Sequence, residues 1–280
     1  MGFVDLHTHT TFSDGSLKPG ELVDYACEKG LSAIAITDHD TVDGLSAAMR
    51  MAIKRPVEVI PGVELTSRYN HKEVHILGYF VNYEDITFVK MLRVITKYKI
   101  ERNEKICSQL RTHGIDVDTE ELKKKYSSRV FNRAHLAEYM IECGYVKDRF
   151  EAYDRYLGEG KPCYIPQKVL SPFDAATIIK RAGGIPCIAH PVKYGFTNEE
   201  YIKFFTYMKE AGISGIEAIY SENTYEDEKK FKNYADKLNL FITGGSDFHG
   251  LIKPDIDLGT GKGNLMISRK ILDNLKKSSE

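Results

Sequence analysis

Short apolar or β-branched runs alternate with helical patterns along most of this chain, and any fold must accommodate that alternation. FVDLHT (3–8) precedes a helix through GELVDYACEKG that Gly30 closes, and AIAIT (33–37) precedes a helix through DGLSAAMRMAIK. VEVIPGVEL (57–65) and EVHILGYFV (73–81) follow, with IPCIAH (185–190), GIEAIY (215–220) and LFITGGSD (240–247) later. Seven strand candidates, most separated by helices, predict a largely parallel α/β sheet. The preferred closure is a TIM-like barrel one unit short of eight, and a doubly wound sheet is the alternative.

Residues 84–168 break the rhythm. FVKMLRVITKYKIERNEKICSQLRTHG carries apolar residues at helical spacing as far as Gly114. DTEELKKKY, NRAHLAEYMIECG and KDRFEAYDRYLGEG then read as three further helices. With no strand pattern, the block reads as a helical insertion between the fourth and fifth strands, large enough to cap a barrel mouth. The barrel domain is thereby split into 1–83 and 169–280. The α/β pattern resumes at SPFDAATIIKRAGG, where Ser171 is placed to cap a helix, Pro172 to start it and Gly183-Gly184 to stop it.

Composition narrows the class. With 280 residues, 42% of them hydrophobic and 28% charged, the chain can bury a sizeable core. Thirty-nine basic against forty acidic residues give a net charge of −1, which argues against a protein living mainly on nucleic-acid backbone. Lys123-Lys124-Lys125 with Arg129 could attract such a backbone, but a charge run is usually a solvated face. No stretch approaches the roughly 20 apolar residues of a membrane span. The opening MGFVDLHTHT lacks a basic and then apolar leader pattern. Cys27, Cys107, Cys143, Cys163 and Cys187 are odd in number and contain no CxxC spacing. Reduced packing cysteines in a cytoplasmic protein are the expectation.

Chemistry concentrates at the strand ends. Of nine histidines, six fall at or just beyond a strand candidate: His7, His9, His39, His75, His190 and His249. Asp14, Glu64 and Asp247 share that placement. In a parallel barrel the carboxyl ends of all strands meet on one face, so these nine groups would converge. His7 and His9 stand at i and i+2, leaving an extended segment on the same side. Imidazole with carboxylate suits Mn, Fe or Zn, and nine N/O donors exceed what one ion can use. His71, His113 and His135 lie away from strand ends, and the first two read as solvated. Asp38 and Asp40 are placed either to orient imidazoles or to bind metal.

The motifs DLHTHTTFSDG, ITDHDTVDG, GVELT, HILGY, IAHP and GSDFHG, in this order, resemble the PHP (polymerase and histidinol phosphatase) metal-dependent phosphoesterases. They are most similar to the stand-alone nucleotide phosphatases and 5′-end exoribonucleases of that family. FNRAHLAEYMIECGYV and EAYDRYLGEGKPCYI extend the likeness into the insertion. The resemblance implies a distorted seven-stranded (β/α)7 barrel carrying two to three divalent transition-metal ions (Mn, Zn or Fe). Carried over by motif, His7, His9 and Asp247 would hold one ion and Glu64 would bridge to a second. His75 and His190 would complete the second, and Asp14, His39 and His249 the third. The branch usually reads Arg-Pro-His where this chain has Arg133-Ala134-His135, a departure that bears on the local backbone.

On this reading the chain is a phosphoesterase using a metal-activated water on a nucleotide, a 3′,5′-nucleoside bisphosphate or a short RNA 5′ end. A short DNA or RNA oligonucleotide is a further candidate substrate, and no obligate protein partner is implied. Arg133 is the expected phosphate clamp, although a surface helix arginine paired with Glu138 or another acid is the bland alternative. His135 could protonate the leaving oxygen, and Asp40 completes the candidate catalytic set. Three alternatives are weighed. A histidinol-phosphate-type phosphatase would present the same phosphate to the same metals. An amidohydrolase also opens with HxH on a barrel but normally adds a mid-barrel lysine or another histidine. A non-catalytic barrel would have lost ligands, and none of the nine is lost.

Overall fold

In the computed structural model, residues 2–125, 131, 133–166 and 169–277 are described. Arg129 of the basic run lies outside them. The described residues fall into two compact units, Met1–Lys90 with Val169–Glu280, and Met91–Lys168.

The first unit contains seven strands in the order of their sequence: β1 (Val4–Thr8), β2 (Ala33–Ile36), β3 (Glu58–Tyr69), β4 (Lys72–Tyr79), β5 (Ile185–Ile188), β6 (Gly215–Tyr220) and β7 (Phe241–Gly245). Helices α1 (Pro19–Glu28) and α2 (Leu45–Ala52) connect the first three strands, and α3 (Ile86–Thr112) leads out of β4. The second unit holds most of α3 with α4 (Thr119–Lys125), α5 (Arg133–Glu142) and α6 (Arg149–Ala152), the last continuing into a π turn over Tyr153–Leu157. Helix α7 (Pro172–Arg181) re-enters the sheet before β5. α8 (Asn198–Glu210) links β5 to β6, α9 (Tyr225–Lys237) links β6 to β7, and α10 (Arg269–Lys276) follows β7.

The sheet curls into a nearly closed barrel. The seam between β7 and β1 is made by the Asp247 N–H donating to the His7 carbonyl at 2.9 Å and the His9 N–H to the Phe248 carbonyl at 2.9 Å. Gly245 permits this approach, because a Cβ there would sit 2.2 Å from the Cβ of His7.

The pairing departs from a uniformly parallel barrel in one place. β4 runs antiparallel to both β3 and β5, while the other neighbours are parallel. Only Asn70 and His71 separate β3 from β4, too few for a crossover helix, so the pair closes as a hairpin with Asn70 at φ +53°. β3 also runs on to Tyr69, past its expected end at 65.

Both units have their own apolar core. In the barrel, Val4 and Leu6 of β1, Ala33 and Ala35 of β2 and Cys187 of β5 belong to one buried cluster with Leu272 and Leu275 of α10. In the insertion, Ile106 and Leu110 of α3 pack with Leu136, Ala137 and Met140 of α5. α7 starts as its sequence predicts: Ser171 Oγ accepts the Asp174 N–H, the Asp174 side chain returns to the Ser171 N–H, and Pro172 occupies the first turn.

Candidate metal centre

His7 is the penultimate residue of β1, and His9 lies just beyond its end. His39 and Asp40 follow β2, Glu64 lies within β3, and His190 follows β5. Asp247 and His249 follow β7, while Asp14 belongs to the loop after β1. His75 lies inside β4, and the reversed direction of that strand brings it to the same end: it pairs across the hairpin with Thr66. The structure thus brings together all nine residues singled out from the sequence.

The Glu64 carboxylate is the hub. Oε1 lies 2.9 Å from both His75 Nδ1 and His190 Nε2, and Oε2 lies 3.2 Å from His7 Nε2, His9 Nε2 and His39 Nδ1. Asp247 Oδ1 is 3.3 Å from His9 Nε2, 3.4 Å from His249 Nδ1 and 3.6 Å from His7 Nε2. Asp14 Oδ1 is 3.3 Å from His249 Nε2. Three sets of atoms lie close enough for their members to share an ion: His9, Asp14, His39 and His249; His7, His9 and Glu64; and His39, Glu64 and His75.

Several donor atoms in the cluster have unmet bonding capacity. Asp14 Oδ1, His39 Nδ1, Glu64 Oε2 and His190 Nδ1 are buried without a hydrogen-bond partner among the described residues. A buried polar atom left so costs about 1–3 kcal/mol, and four in one cluster suit the coordination of cations.

The electrostatics agree. Burial is the largest influence on these groups and opposes charge. For the carboxylates it is outweighed: His39, His7 and His75 hold Glu64 well below the usual range, as His249 and His39 do for Asp14. His249, Lys193 and Lys253 do the same for Asp247. In return, Glu217, Glu64 and Asp247 hold His7 well above its ordinary value, and Asp247 and Glu64 hold His9 at about 9. Glu64 lifts His75 to about 10, whereas burial wins at His39, about 4, and at His190, about 3. Three carboxylates thus demand positive charge, and three imidazoles hold protons to supply it. Divalent cations would meet the same demand, so the donor set fits metal.

Neighbouring residues fix the donors. Glu217 on β6, fully buried, lies 2.9 Å from His7 Nδ1 through Oε1 and accepts the His190 N–H at 2.6 Å through Oε2. Asp5, also fully buried, accepts the N–H and hydroxyl of Ser246 and the N–H of Gly259. Neither was singled out from the sequence. The available signal was a lone acid inside a short apolar strand, IEAI and FVDL. Asp38 binds the Thr10 N–H and the hydroxyls of Thr10 and Ser13, shaping the loop that carries Asp14. Asp40 accepts from the N–H and hydroxyl of Thr66, tying the stretch after β2 to β3 two residues beyond Glu64. Asp40, His190 and Asp247 all sit at positive φ (52°, 25° and 60°), strain of about 1–3 kcal/mol each that clusters at functional sites.

Arg133 and His135 lie on α5, in the second unit. Arg133 Nη1 donates to the Leu157 carbonyl at 3.1 Å, and the guanidinium lies 5.7 and 5.5 Å from the ring centres of Tyr153 and Tyr164. Glu138, its expected alternative partner, pairs with Arg149. His135 is buried. His71 and His113 are exposed.

The PHP domain profile matches residues 5–164. A Chromobacterium violaceum 3′,5′-nucleoside bisphosphate phosphatase is 31% identical over 92% of this chain and 91% of its own length. A Haemophilus influenzae 5′-3′ exoribonuclease is 34% identical over 88% of this chain and 89% of its own. A solved C. violaceum structure described as an amidohydrolase, with bound sulfate and no metal, superposes with a TM-score of 0.81 at 29% identity, covering 98% of this chain and 96% of that one. No helix among the described residues is long and apolar enough to cross a membrane.

Proposed function

This chain belongs to the PHP domain family, and from that premise we propose that it is a metal-dependent phosphoesterase hydrolysing phosphate esters of nucleotides. A 3′,5′-nucleoside bisphosphate or a short 5′-phosphorylated RNA is its substrate, a reading supported by relatives named as a 3′,5′-nucleoside bisphosphate phosphatase and a 5′-3′ exoribonuclease. The observation that carries this reading is Glu64: one buried carboxylate within 3.2 Å of five imidazoles, with an oxygen that none of them satisfies.

Two to three divalent ions (Mn, Zn or Fe) would be held by His7, His9, Asp14, His39, Glu64, His75, His190, Asp247 and His249. When bound, such ions neutralise phosphoryl oxygens and provide a nucleophilic water at neutral pH. The chain's own residues orient and hold. Glu217 fixes the ring of His7 and the backbone of His190, so Nε2 of His7 faces the centre. Asp40 is a positioning residue here, acting through Thr66. The motif likeness in the insertion gives Arg133 the part of phosphate clamp and His135 that of a substrate contact.

The test is phosphate release from a 3′,5′-bisphosphate, a mononucleotide, a 5′-phosphorylated oligoribonucleotide, histidinol phosphate and p-nitrophenyl phosphate, with Mn²⁺ present. Chelator-sensitive release with the highest kcat/KM on a nucleotide is expected. Preference for histidinol phosphate would move the assignment to that class, and no release from any ester by metal-loaded protein would end it.

A further inference from the structure

Asp247 presents its two oxygens to different company. Oδ1 faces His7, His9 and His249, whereas Oδ2 accepts from Lys193 Nζ at 2.9 Å, Lys253 Nζ at 2.8 Å and the Tyr220 hydroxyl at 2.9 Å. One carboxylate oxygen has two lone pairs, so three donors, two of them cationic, exceed what it can satisfy. One ammonium is enough to neutralise one carboxylate, and the second is surplus charge at that atom. The lysines come from separate places, Lys193 from the turn over Pro191–Tyr194 after β5 and Lys253 from just beyond the turn over Gly250–Ile252 after β7. Their side chains remain 36% and 32% exposed, so both reach solvent beside the buried donors. Two more distant acids also act on Lys193: Glu222, itself 3.6 Å from Lys262 Nζ, and Glu64, already surrounded by imidazoles.

From this convergence we infer that Lys193 and Lys253 form an anion subsite beside Asp247 that holds the phosphoryl group of the substrate. The inference rests on the phosphoesterase reading and adds residues to it. Compact, flexibly held ammonium groups suit a tetrahedral oxyanion as point charges. Two of them approaching from different loops can embrace one phosphoryl group while Tyr220 keeps its bond to Asp247. Cations bound at Oδ1 would draw charge from the carboxylate and loosen its hold on the ammoniums, making them available to the anion. The lysines are binding residues in this account and take no proton.

The experiment measures inorganic phosphate binding to the metal-loaded protein by calorimetry, with metal content and turnover of p-nitrophenyl phosphate on the same samples. Wild type is compared with Lys193→Met, Lys253→Met and the double variant. Methionine keeps an apolar stem of similar length and removes the ammonium with its charge and N–H donors, and circular dichroism checks the fold. Each single variant should bind phosphate about ten-fold more weakly and the double variant about a hundred-fold, as charge-assisted contacts imply. Metal content should be unchanged, and KM should rise more than kcat falls. Wild-type phosphate affinity in variants that fold and carry metal would overturn the subsite and leave the phosphoesterase reading standing. A metal-loaded wild type that neither binds phosphate nor releases it would overturn both.

Discussion

Glu217 tests how far the centre depends on residues that never touch an ion. Its two oxygens serve two different groups, the His7 ring and the His190 N–H, so an amide cannot replace both. Glu217→Gln should lower metal affinity or turnover by about 10- to 100-fold. Titration of metal-free variant with Mn²⁺, read alongside kcat, checks this, and near-normal values would reduce Glu217 to core filling. At Arg133 the expected outcome is selective. Arg133→Ala should raise KM for a 3′,5′-bisphosphate by roughly ten- to a hundred-fold, change p-nitrophenyl phosphate less and leave metal content alone. Equal small changes on both substrates would return Arg133 to packing under Tyr153 and Tyr164. At this scale the sequence was most legible where residue type is rare and position recurrent, as with six histidines at strand ends. It was least legible at Glu217 and Asp5, because a lone acid in a strand ordinarily marks a solvated face. In a closed barrel the inner face is buried too, so the same alternation hides a buried carboxylate.

Among the elements, the β1–β7 seam governs the site, since it fixes His7 and Asp247 against each other. Gly245→Ala would drive a methyl into the Cβ and backbone of His7. Overpacking of this kind costs about 1–3 kcal/mol, and here metal content should fall as well. Thermal melting with elemental analysis measures both, and an unchanged melt would mean the seam is looser than its hydrogen bonds indicate. Ser171→Ala is the contrasting case, removing the α7 cap far along the chain from any proposed ligand. It should cost about 1 kcal/mol, a fall in Tm of roughly 2–4 °C, with turnover retained. Cap, proline and glycine stop were all readable in SPFDAATIIKRAGG because capping chemistry is local. The sheet is largely parallel, as expected, but the reversal of β4 was not legible. The strand candidates ended at 65 and restarted at 73, and only the extension of β3 to Tyr69 leaves the two-residue turn that forces a hairpin. That reversal explains why His75 reaches the centre from inside a strand.

For the molecule as a whole, the alternation of runs and helices conveyed the barrel, and the loss of alternation conveyed a helical block with its own core. By packing, the two units divide within α3, between Lys90 and Met91; periodicity marks where a helix starts and not where its packing changes. The barrel's apolar cluster includes none of the nine donors, so chelation should abolish turnover while circular dichroism stays native. The apparent Tm should drop by no more than the lost binding energy, and a chelated protein that unfolds outright would make the ions structural. The central claim is that the nine donors, Glu64 at their hub, form a multinuclear centre. Metal equivalents per chain, determined by elemental analysis after reconstitution with Mn²⁺ or Zn²⁺, test it most directly. Two to three equivalents are expected, falling in Glu64→Ala together with activity; one equivalent or fewer in the wild type would contradict the account.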